Sequence, residues 1–135
     1  MSRPSVLFVC VKNGGKSQIA AALMRHLAGD RVDVYSAGTL PGGALNAESV
    51  TAVEEVGASM AGEHPKPIDP HLLVTVDRVV ILGADAVIDP PGRAPVERWD
   101  TDEPSTRGIN GAERMRLIRD DIAGRVATLA EDLTA

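Results

Sequence analysis

The first apolar run of the chain, residues 6–10, constrains the fold more than any other feature. It reads Val-Leu-Phe-Val-Cys without a polar interruption and leads directly into a loop of small and basic residues. A strand with one solvated face would alternate polar and apolar residues, whereas a continuous run is typical of a parallel strand buried on both faces. Because parallel strands are joined by crossover helices, this run predicts an α/β fold.

The rest of the chain repeats this alternation. Further strand-like runs occupy residues 32–36, 78–82 and 96–99, and helices are predicted over residues 17–28 and 45–56. The last helix is the clearest, because its apolar residues recur every three or four positions. These residues are Met115, Ile118, Ile122, Val126, Leu129 and Leu133. Strands that alternate with helices predict a parallel sheet with right-handed crossovers.

Length and charge limit the possible classes of function. The 135 residues suit a single domain, residues 1–135. With 14 basic and 19 acidic residues the formal net charge is −5, whereas nucleic acid and anionic membranes are bound by basic surfaces. The apolar runs are too short to span a bilayer, and the N-terminus lacks the long apolar stretch of a signal peptide. We therefore expect a cytoplasmic protein that binds neither nucleic acid nor membrane.

The most informative segment is the loop at residues 10–17, which reads Cys-Val-Lys-Asn-Gly-Gly-Lys-Ser. Open α/β sheets bind ligands at the carboxyl ends of their strands, and a helix N-terminus directs unpaired amide groups toward such a loop. Adjacent glycines allow successive N–H groups to point inward and form an anion-binding nest. The segment therefore predicts a site for a tetrahedral oxyanion. The predicted oxyanion-binding residues are Val11, Lys12, Asn13, Gly14, Gly15 and Lys16.

Cys10, the one cysteine of the chain, lies at the start of this loop. The thiolate is the nucleophilic form of cysteine, and a helix N-terminus with nearby cations favours it. Ser17 is placed to donate a hydrogen bond to the sulfur or to help cap the helix. The pattern predicts that Cys10 is a catalytic nucleophile; the alternative is a small buried apolar residue at the end of a strand.

The Gly15-Lys16-Ser17 tripeptide also ends the P-loop of nucleotide-binding proteins, but the spacing is wrong for that motif. The Walker pattern places four residues between an earlier glycine and the Gly-Lys-Ser/Thr tripeptide. That earlier position is occupied here by Cys10. The nucleotide-binding interpretation therefore fails at one residue.

The loop, together with the Ser36-Ala37-Gly38 tripeptide after the second strand, makes the chain resemble the low-molecular-weight tyrosine phosphatase superfamily. Within that superfamily the chain is most similar to the arsenate reductases, and the resemblance covers essentially its whole length. It implies a three-layer α/β fold with a four-stranded parallel sheet flanked by helices. It also implies that Cys10, Lys16 and Ser17 are catalytic.

A proton donor for the departing oxygen is expected on the loop after the fourth strand, where Trp99 is followed by several carboxylates. In the resembled family the acid directly precedes a proline, here Pro104, which favours Glu103; Asp102 is the alternative. Because all parallel strands end at the same edge of the sheet, this loop can reach Cys10. A solvated acidic loop or a helix cap is the interpretation without a catalytic role.

Three departures from the family's pattern narrow the expected function. The family's loop arginine is Lys16 here, which offers a mobile point charge instead of a planar fork. Pro104 is followed by Ser105 and Thr106, where the phosphatases carry aromatic residues that flank a phenyl ring. The loop after the third strand contains no cysteine, whereas the thioredoxin-linked arsenate reductases carry further cysteines there.

With a single cysteine, a two-electron reduction of arsenate through Cys10 requires a thiol from outside the chain. The resemblance therefore implies an arsenate–mycothiol transferase. Cys10 attacks bound arsenate, and mycothiol, as co-substrate, releases an arseno-thiol that a mycoredoxin or glutaredoxin-like protein reduces to arsenite. The 11 arginines against three lysines hint at a GC-rich genome, as in the actinobacteria that make mycothiol. Glutathione and bacillithiol remain alternatives.

Neither a bound cofactor nor a metal is expected, because His26, His64 and His71 show no metal-ligand spacing. Two other functions remain open for the same loop. One is a low-molecular-weight phosphatase that hydrolyses phosphate esters, with water in place of the thiol. The other is a degenerate oxyanion-binding module, which the replacement of the family's arginine by Lys16 suggests.

Overall fold

The structure, a computed structural model, describes residues 3–135 and is organised around a parallel sheet of four strands. The strands are β1 (Ser5–Cys10), β2 (Asp33–Gly38), β3 (Arg78–Leu82) and β4 (Val96–Trp99). Their order in the sheet is β2-β1-β3-β4, and every neighbouring pair is parallel. β1 therefore lies inside the sheet, as its continuous apolar sequence predicted.

Four helices and two single-turn 3-10 segments accompany the strands. The helices are α1 (Lys16–Ala28), α2 (Ala47–Glu54), α3 (Leu72–Thr75) and α4 (Gly111–Thr134); the 3-10 segments are Gly29–Arg31 and Pro104–Arg107. α2 is shorter than the predicted 45–56, because the Asn46 side chain caps its N-terminus by accepting a 2.8 Å hydrogen bond from the N–H of Ser49.

Side chains of the sheet alternate between two apolar layers. On one face Val6 and Phe8 of β1 pack against α1, α2 and α4. The predicted apolar stripe of α4 faces this layer, and its members Met115, Ile118, Ile122, Val126 and Leu129 are buried. On the other face Leu7 and Val9 pack against Leu73 of α3 and the loops around it. The four-stranded parallel sheet with flanking helices is thus confirmed.

Two local features differ from the sequence-based expectation. β2 was expected to stop before Ala37-Gly38, but it continues through both residues, which pair with Val9 and Cys10 of β1. α3 was not expected at all, because a single helical turn is too short to produce a periodic apolar pattern. Within residues 3–135, no helix combines the length and apolar character needed to cross a membrane.

Candidate functional site

Cys10 ends β1, and its sulfur lies against the first turn of α1. The Sγ atom forms a 2.9 Å hydrogen bond with Oγ of Ser17 and accepts another, at 3.2 Å, from the backbone N–H of Asn13. Ser17 is the second residue of α1, and the helix has Gly15 at its N-cap without a side-chain capping bond. Of the two roles considered for Ser17, the structure therefore contains the contact with the sulfur.

Asn13 sets the shape of the loop. Its φ of 55° is left-handed, a conformation that asparagine tolerates better than most residues with a side chain. The side chain is fully buried: Nδ2 donates to Oγ of Ser17 at 2.7 Å, and Oδ1 accepts from the N–H of Lys66 at 3.1 Å. Asn13 thus directs its N–H to the sulfur and its side chain into the protein. Its buried side chain holds the loop in shape through Ser17 and Lys66.

The loop after β2 fixes the orientation of the peptide groups in the predicted oxyanion-binding loop, residues 10–17, which we call the oxyanion loop. Its N–H groups bind outward-facing carbonyls: Leu40 binds Val11 at 2.9 Å, and Asn46 binds Gly14 at 2.8 Å. A third such bond joins the N–H of Gly42 to the carbonyl of Lys12 at 2.9 Å.

In a trans peptide the N–H points opposite to the carbonyl of the preceding residue. The Lys12 carbonyl faces outward, and the N–H of the same peptide group, on Asn13, faces the Cys10 sulfur. By the same geometry, the N–H groups of Lys12 and Gly15 point away from the loop after β2. The Asn13 N–H at the sulfur and these N–H groups are the backbone donors that the predicted oxyanion site would use.

Gln18 and the segment at residues 64–67 belong to the site but were missed in the sequence. Gln18 is fully buried, and its Nε2 donates to the Asn13 carbonyl, to the Asn13 side chain and to the His64 carbonyl, each at 3.2 Å. The N–H of Gly38 donates to the Lys66 carbonyl at 2.8 Å. The segment reads as a proline-rich loop, and no local pattern indicates that it would reach Asn13.

The Lys66 side chain is tied to the same region. Its Nζ lies 3.5 Å from Oγ of Ser36 and 3.7 Å from a carboxylate oxygen of Glu63. Burial lowers the pKa of Lys66, while the charge of Glu63 acts in the opposite direction. Lys66 therefore connects the segment at 64–67 with β2 through its side chain, in addition to holding Asn13 through its backbone.

A cleft of about 510 Å³ opens beside the oxyanion loop. Gly14, Gly15 and Lys16 form one side of it, and Arg114 of α4 lies on another. Lys12 also lines the cleft, so three cationic side chains lie around it. Such a concentration of positive charge suits an anionic ligand.

The two candidate acids, Glu103 and Asp102, are both paired with arginines. Glu103 accepts hydrogen bonds from Arg114 at 2.6 and 2.8 Å. These bonds are the main reason why the pKa of Glu103 is lowered to about 2. Asp102 accepts bonds from Arg107 at 2.8 and 3.1 Å, and these hold the pKa of Asp102 below its usual range. A carboxylate in this state is ionised at neutral pH. Either residue can donate a proton only after its arginine partner moves away.

The loop that carries these acids, residues 100–103, which we call the acidic loop, is held to α4. The N–H of Asp102 donates to a carboxylate oxygen of Asp121 at 2.8 Å, and Arg125 donates to the Asp100 carbonyl at 2.9 Å. Across the part of the chain that the structure describes, no group of three or more His, Cys, Asp or Glu side chains is arranged to hold a metal ion.

The family match and the similar known proteins point to the same family. Residues 5–135 match the family described as low molecular weight phosphotyrosine protein phosphatase. An arsenate reductase of Halalkalibacterium halodurans is 32% identical over 137 aligned positions, which cover 97% of this chain and 98% of that protein. A solved arsenate reductase in its phosphate-binding state is similar with a TM-score of 0.83 and 25% identity, over 96% of this chain and 98% of that one.

A second solved structure, the thioredoxin-dependent arsenate reductase of Corynebacterium glutamicum, is similar with a TM-score of 0.79 and 29% identity. The match covers 98% of this chain but 62% of that one, so the relative is considerably longer. The family match includes the strand that ends at Cys10, the oxyanion loop, the acidic loop and α4. The chain therefore belongs to the low molecular weight phosphotyrosine protein phosphatase family, and its relatives include arsenate reductases.

Proposed function

We propose that the protein is an arsenate reductase that works as an arsenate–mycothiol transferase. The observation that carries this proposal is the placement of the chain's one thiol, on Cys10, against Ser17 and the Asn13 N–H, at the start of a loop whose peptide groups are held in place by the loop after β2. A thiolate held there is positioned to attack an oxyanion bound to the same donors. The arsenate reductases among the relatives favour arsenate as that oxyanion.

In the proposed reaction the loop and Lys16 bind arsenate, and the Cys10 thiolate attacks arsenic. A sulfur–arsenic bond forms and an arsenic–oxygen bond breaks; Glu103 or Asp102 supplies the proton for the departing oxygen. The mycothiol thiolate then displaces Cys10 from arsenic and regenerates its thiolate. Arsenic remains in the +5 state through both displacements. The two electrons enter when a thiol of a mycoredoxin or glutaredoxin-like protein attacks the sulfur of the arseno-thiol, which forms a mixed disulfide and releases arsenite.

The choice of an external small thiol rests on the cysteine count. Cys10 is the one cysteine of the chain, and residues 83–95 after β3 contain none. Thioredoxin, which is named as the reductant of the C. glutamicum relative, is the rival reductant. Without a second cysteine here, oxidation cannot be passed to an internal disulfide that thioredoxin would then reduce. We place the reaction in the cytoplasm, where small thiols are kept reduced.

The experiment measures arsenite formed from arsenate with two reducing systems. One contains mycothiol and a mycoredoxin, and the other contains thioredoxin and its reductase; glutathione and bacillithiol replace mycothiol in parallel reactions. We expect turnover with mycothiol and no turnover with thioredoxin alone. Robust turnover with thioredoxin alone would refute the transferase. Full activity of Cys10→Ser would refute the nucleophile.

Phosphate-ester hydrolysis is the second candidate, because a similar structure is an arsenate reductase in a phosphate-binding state. The residues after Pro104 speak against aryl phosphates, since Ser105 and Thr106 provide no aromatic surface for a phenyl ring. Release of phosphate from p-nitrophenyl phosphate, at a rate above that of Cys10→Ser, would favour the phosphatase. Arsenate binding without turnover by any thiol would instead favour the degenerate oxyanion-binding module.

A further inference from the structure

The ion pair between Glu103 and Arg114 links the acidic loop to the cleft beside the oxyanion loop. Nε and Nη2 of Arg114 donate to the two carboxylate oxygens of Glu103 at 2.8 and 2.6 Å. This planar, two-pronged arrangement is the geometry with which a guanidinium also binds a tetrahedral oxyanion. The side chains of Arg114 and Glu103 are 29% and 38% exposed, so the pair is accessible to an anion from solvent.

Arg114 lines the cleft beside the oxyanion loop. Among residues 3–135, it is the one arginine that lines the cleft with Gly14, Gly15 and Lys16. Within the oxyanion loop the charged residues are Lys12 and Lys16, which offer point charges but no planar fork. The cleft thus contains a single bidentate donor for an oxyanion, and a carboxylate occupies that donor in this structure.

We propose that Arg114 is an oxyanion-binding residue that exchanges partners: it leaves Glu103 for the oxyanion held in the loop, and the exchange releases Glu103 to act as the acid. This inference rests on the proposed function, since it takes arsenate as the oxyanion. While the pair is closed, the pKa of Glu103 stays near 2 and the carboxyl carries no proton. Departure of Arg114 removes the main cause of that low pKa, so Glu103 can take up a proton from the bound hydrogen arsenate or from solvent and pass it to the departing oxygen.

The neighbouring pair of Asp102 and Arg107 offers a matched control. Its bonds, at 2.8 and 3.1 Å, are also bidentate, but Arg107 is 51% exposed and does not line the cleft. Loss of Arg107 removes an ion pair of the same kind from the same loop. Arg107→Gln therefore reports the effect of a broken ion pair that has no access to the oxyanion.

The test measures arsenate affinity by isothermal titration calorimetry in a Cys10→Ser background, which binds but does not react. Arg114→Gln should weaken arsenate binding about ten- to a hundredfold, the usual effect of losing hydrogen bonds to a charged group. Glu103→Gln should instead tighten it several-fold, because the carboxylate that competes for Arg114 is gone. Arg107→Gln should bind arsenate as the background does. The double variant Glu103→Gln/Arg114→Gln should lose the tightening.

Opposite effects of Arg114→Gln and Glu103→Gln on arsenate affinity would support the exchange of partners. If the ion pair were merely structural, both substitutions would weaken arsenate binding. Unchanged or weaker binding in Glu103→Gln, or unchanged binding in Arg114→Gln, would overturn the exchange. Urea unfolding of each variant confirms that the fold is retained. The proposed function fails by a different result: arsenate that neither binds to the background variant nor yields arsenite with the parent protein and any thiol.

Discussion

Gly38 and Val11 approach so closely that a Cβ atom at Gly38 would lie 2.6 Å from the carbonyl oxygen of Val11. The same atom would lie 3.0 Å from Cβ of Asn13 and 3.1 Å from its nitrogen. Gly38 pairs with Cys10 at the end of β2, so the contact lies directly beside the nucleophile. The close approach of two backbones explains why a glycine ends the Ser36-Ala37-Gly38 tripeptide.

Gly38→Ala should displace the oxyanion loop, because the added methyl group meets backbone atoms that have little room to move. We expect a loss of about 1–3 kcal/mol in the free energy of unfolding, as for overpacked sites, together with weaker arsenate binding. Urea unfolding and calorimetric titration measure the two effects. Gly124→Ala in α4 is the control, since a Cβ there meets nothing within 4 Å, and it should bind arsenate normally. Wild-type affinity in Gly38→Ala would contradict the expectation.

Two substitutions at Asn13 separate backbone conformation from side-chain bonding. Asn13→Gly keeps the left-handed φ but loses the buried hydrogen bonds to Ser17 and Lys66. We expect its free energy of unfolding to fall by about 1–3 kcal/mol. Asn13→Ala loses the bonds and also disfavours the backbone conformation, so it should be less stable by about 1 kcal/mol more. Urea unfolding of the three proteins tests the order. Equal stability of the two variants would mean that the backbone conformation carries no cost.

Substitutions of Lys16 test how much the charge of the oxyanion loop contributes to arsenate binding. Lys16→Arg should keep or improve affinity, because the guanidinium fits the same anion with a planar fork. Lys16→Ala should lose a charge-assisted contact worth roughly 1.5–3 kcal/mol, or about ten- to a hundredfold in affinity. Thermal melts should show that both variants fold. If Lys16→Ala binds and turns over arsenate as well as the parent, this loop is not the oxyanion site.

Glu55 gives the stability a defined dependence on pH. It accepts hydrogen bonds from Arg116 and Arg119, and the bond from Arg116 is the main cause that lowers the pKa of Glu55 from 4.5 to about 2. The unfolded chain therefore binds this proton more readily than the folded protein does. The stabilisation by Glu55 is fully present above about pH 4.5 and is lost as the pH falls through about 2.

Glu55→Gln should accordingly lower the urea midpoint at pH 7, and its difference from the parent should shrink as the pH falls from 4.5 toward 2. Glu131→Gln, on the exposed side of α4, is the control, because Glu131 takes part in none of the ion pairs found within residues 3–135. A constant difference between Glu55→Gln and the parent at all pH values would show that the ion pairs do not stabilise the fold.

The sequence predicted the parts of the site that are local in the chain. Cys10, the oxyanion loop and Ser17 fall within eight residues, so a strand, a turn of small residues and a helix place them together. The acidic loop was also found, but the state of its carboxylates was not. Glu103 is paired with Arg114, 11 residues away on α4, and no pattern in the sequence indicates that bond.

The contacts that support the oxyanion loop from distant parts of the chain could not be predicted from the sequence for the same reason. Gln18 binds the His64 carbonyl across 46 residues, and a glutamine in a helix has no signature for such a partner. The sequence predicts that the second strand ends before Ala37-Gly38, since glycine disfavours strands in general. In the structure Gly38 instead pairs with Cys10. A glycine is needed there because the backbone of Val11 lies so close, and that contact depends on how β1 and β2 pack.

The bond between Asn13 and the N–H of Lys66 joins residues 53 positions apart, and it has a consequence for folding order. Contacts between distant parts of a chain carry a large loop-closure entropy and form late relative to local ones. An intermediate that has completed only β1 and α1 therefore contains Cys10 but no finished anion site. We expect oxyanions to bind to the native chain alone, so arsenate or phosphate at saturating concentration should draw the unfolding equilibrium toward the native state and raise the midpoint of thermal unfolding.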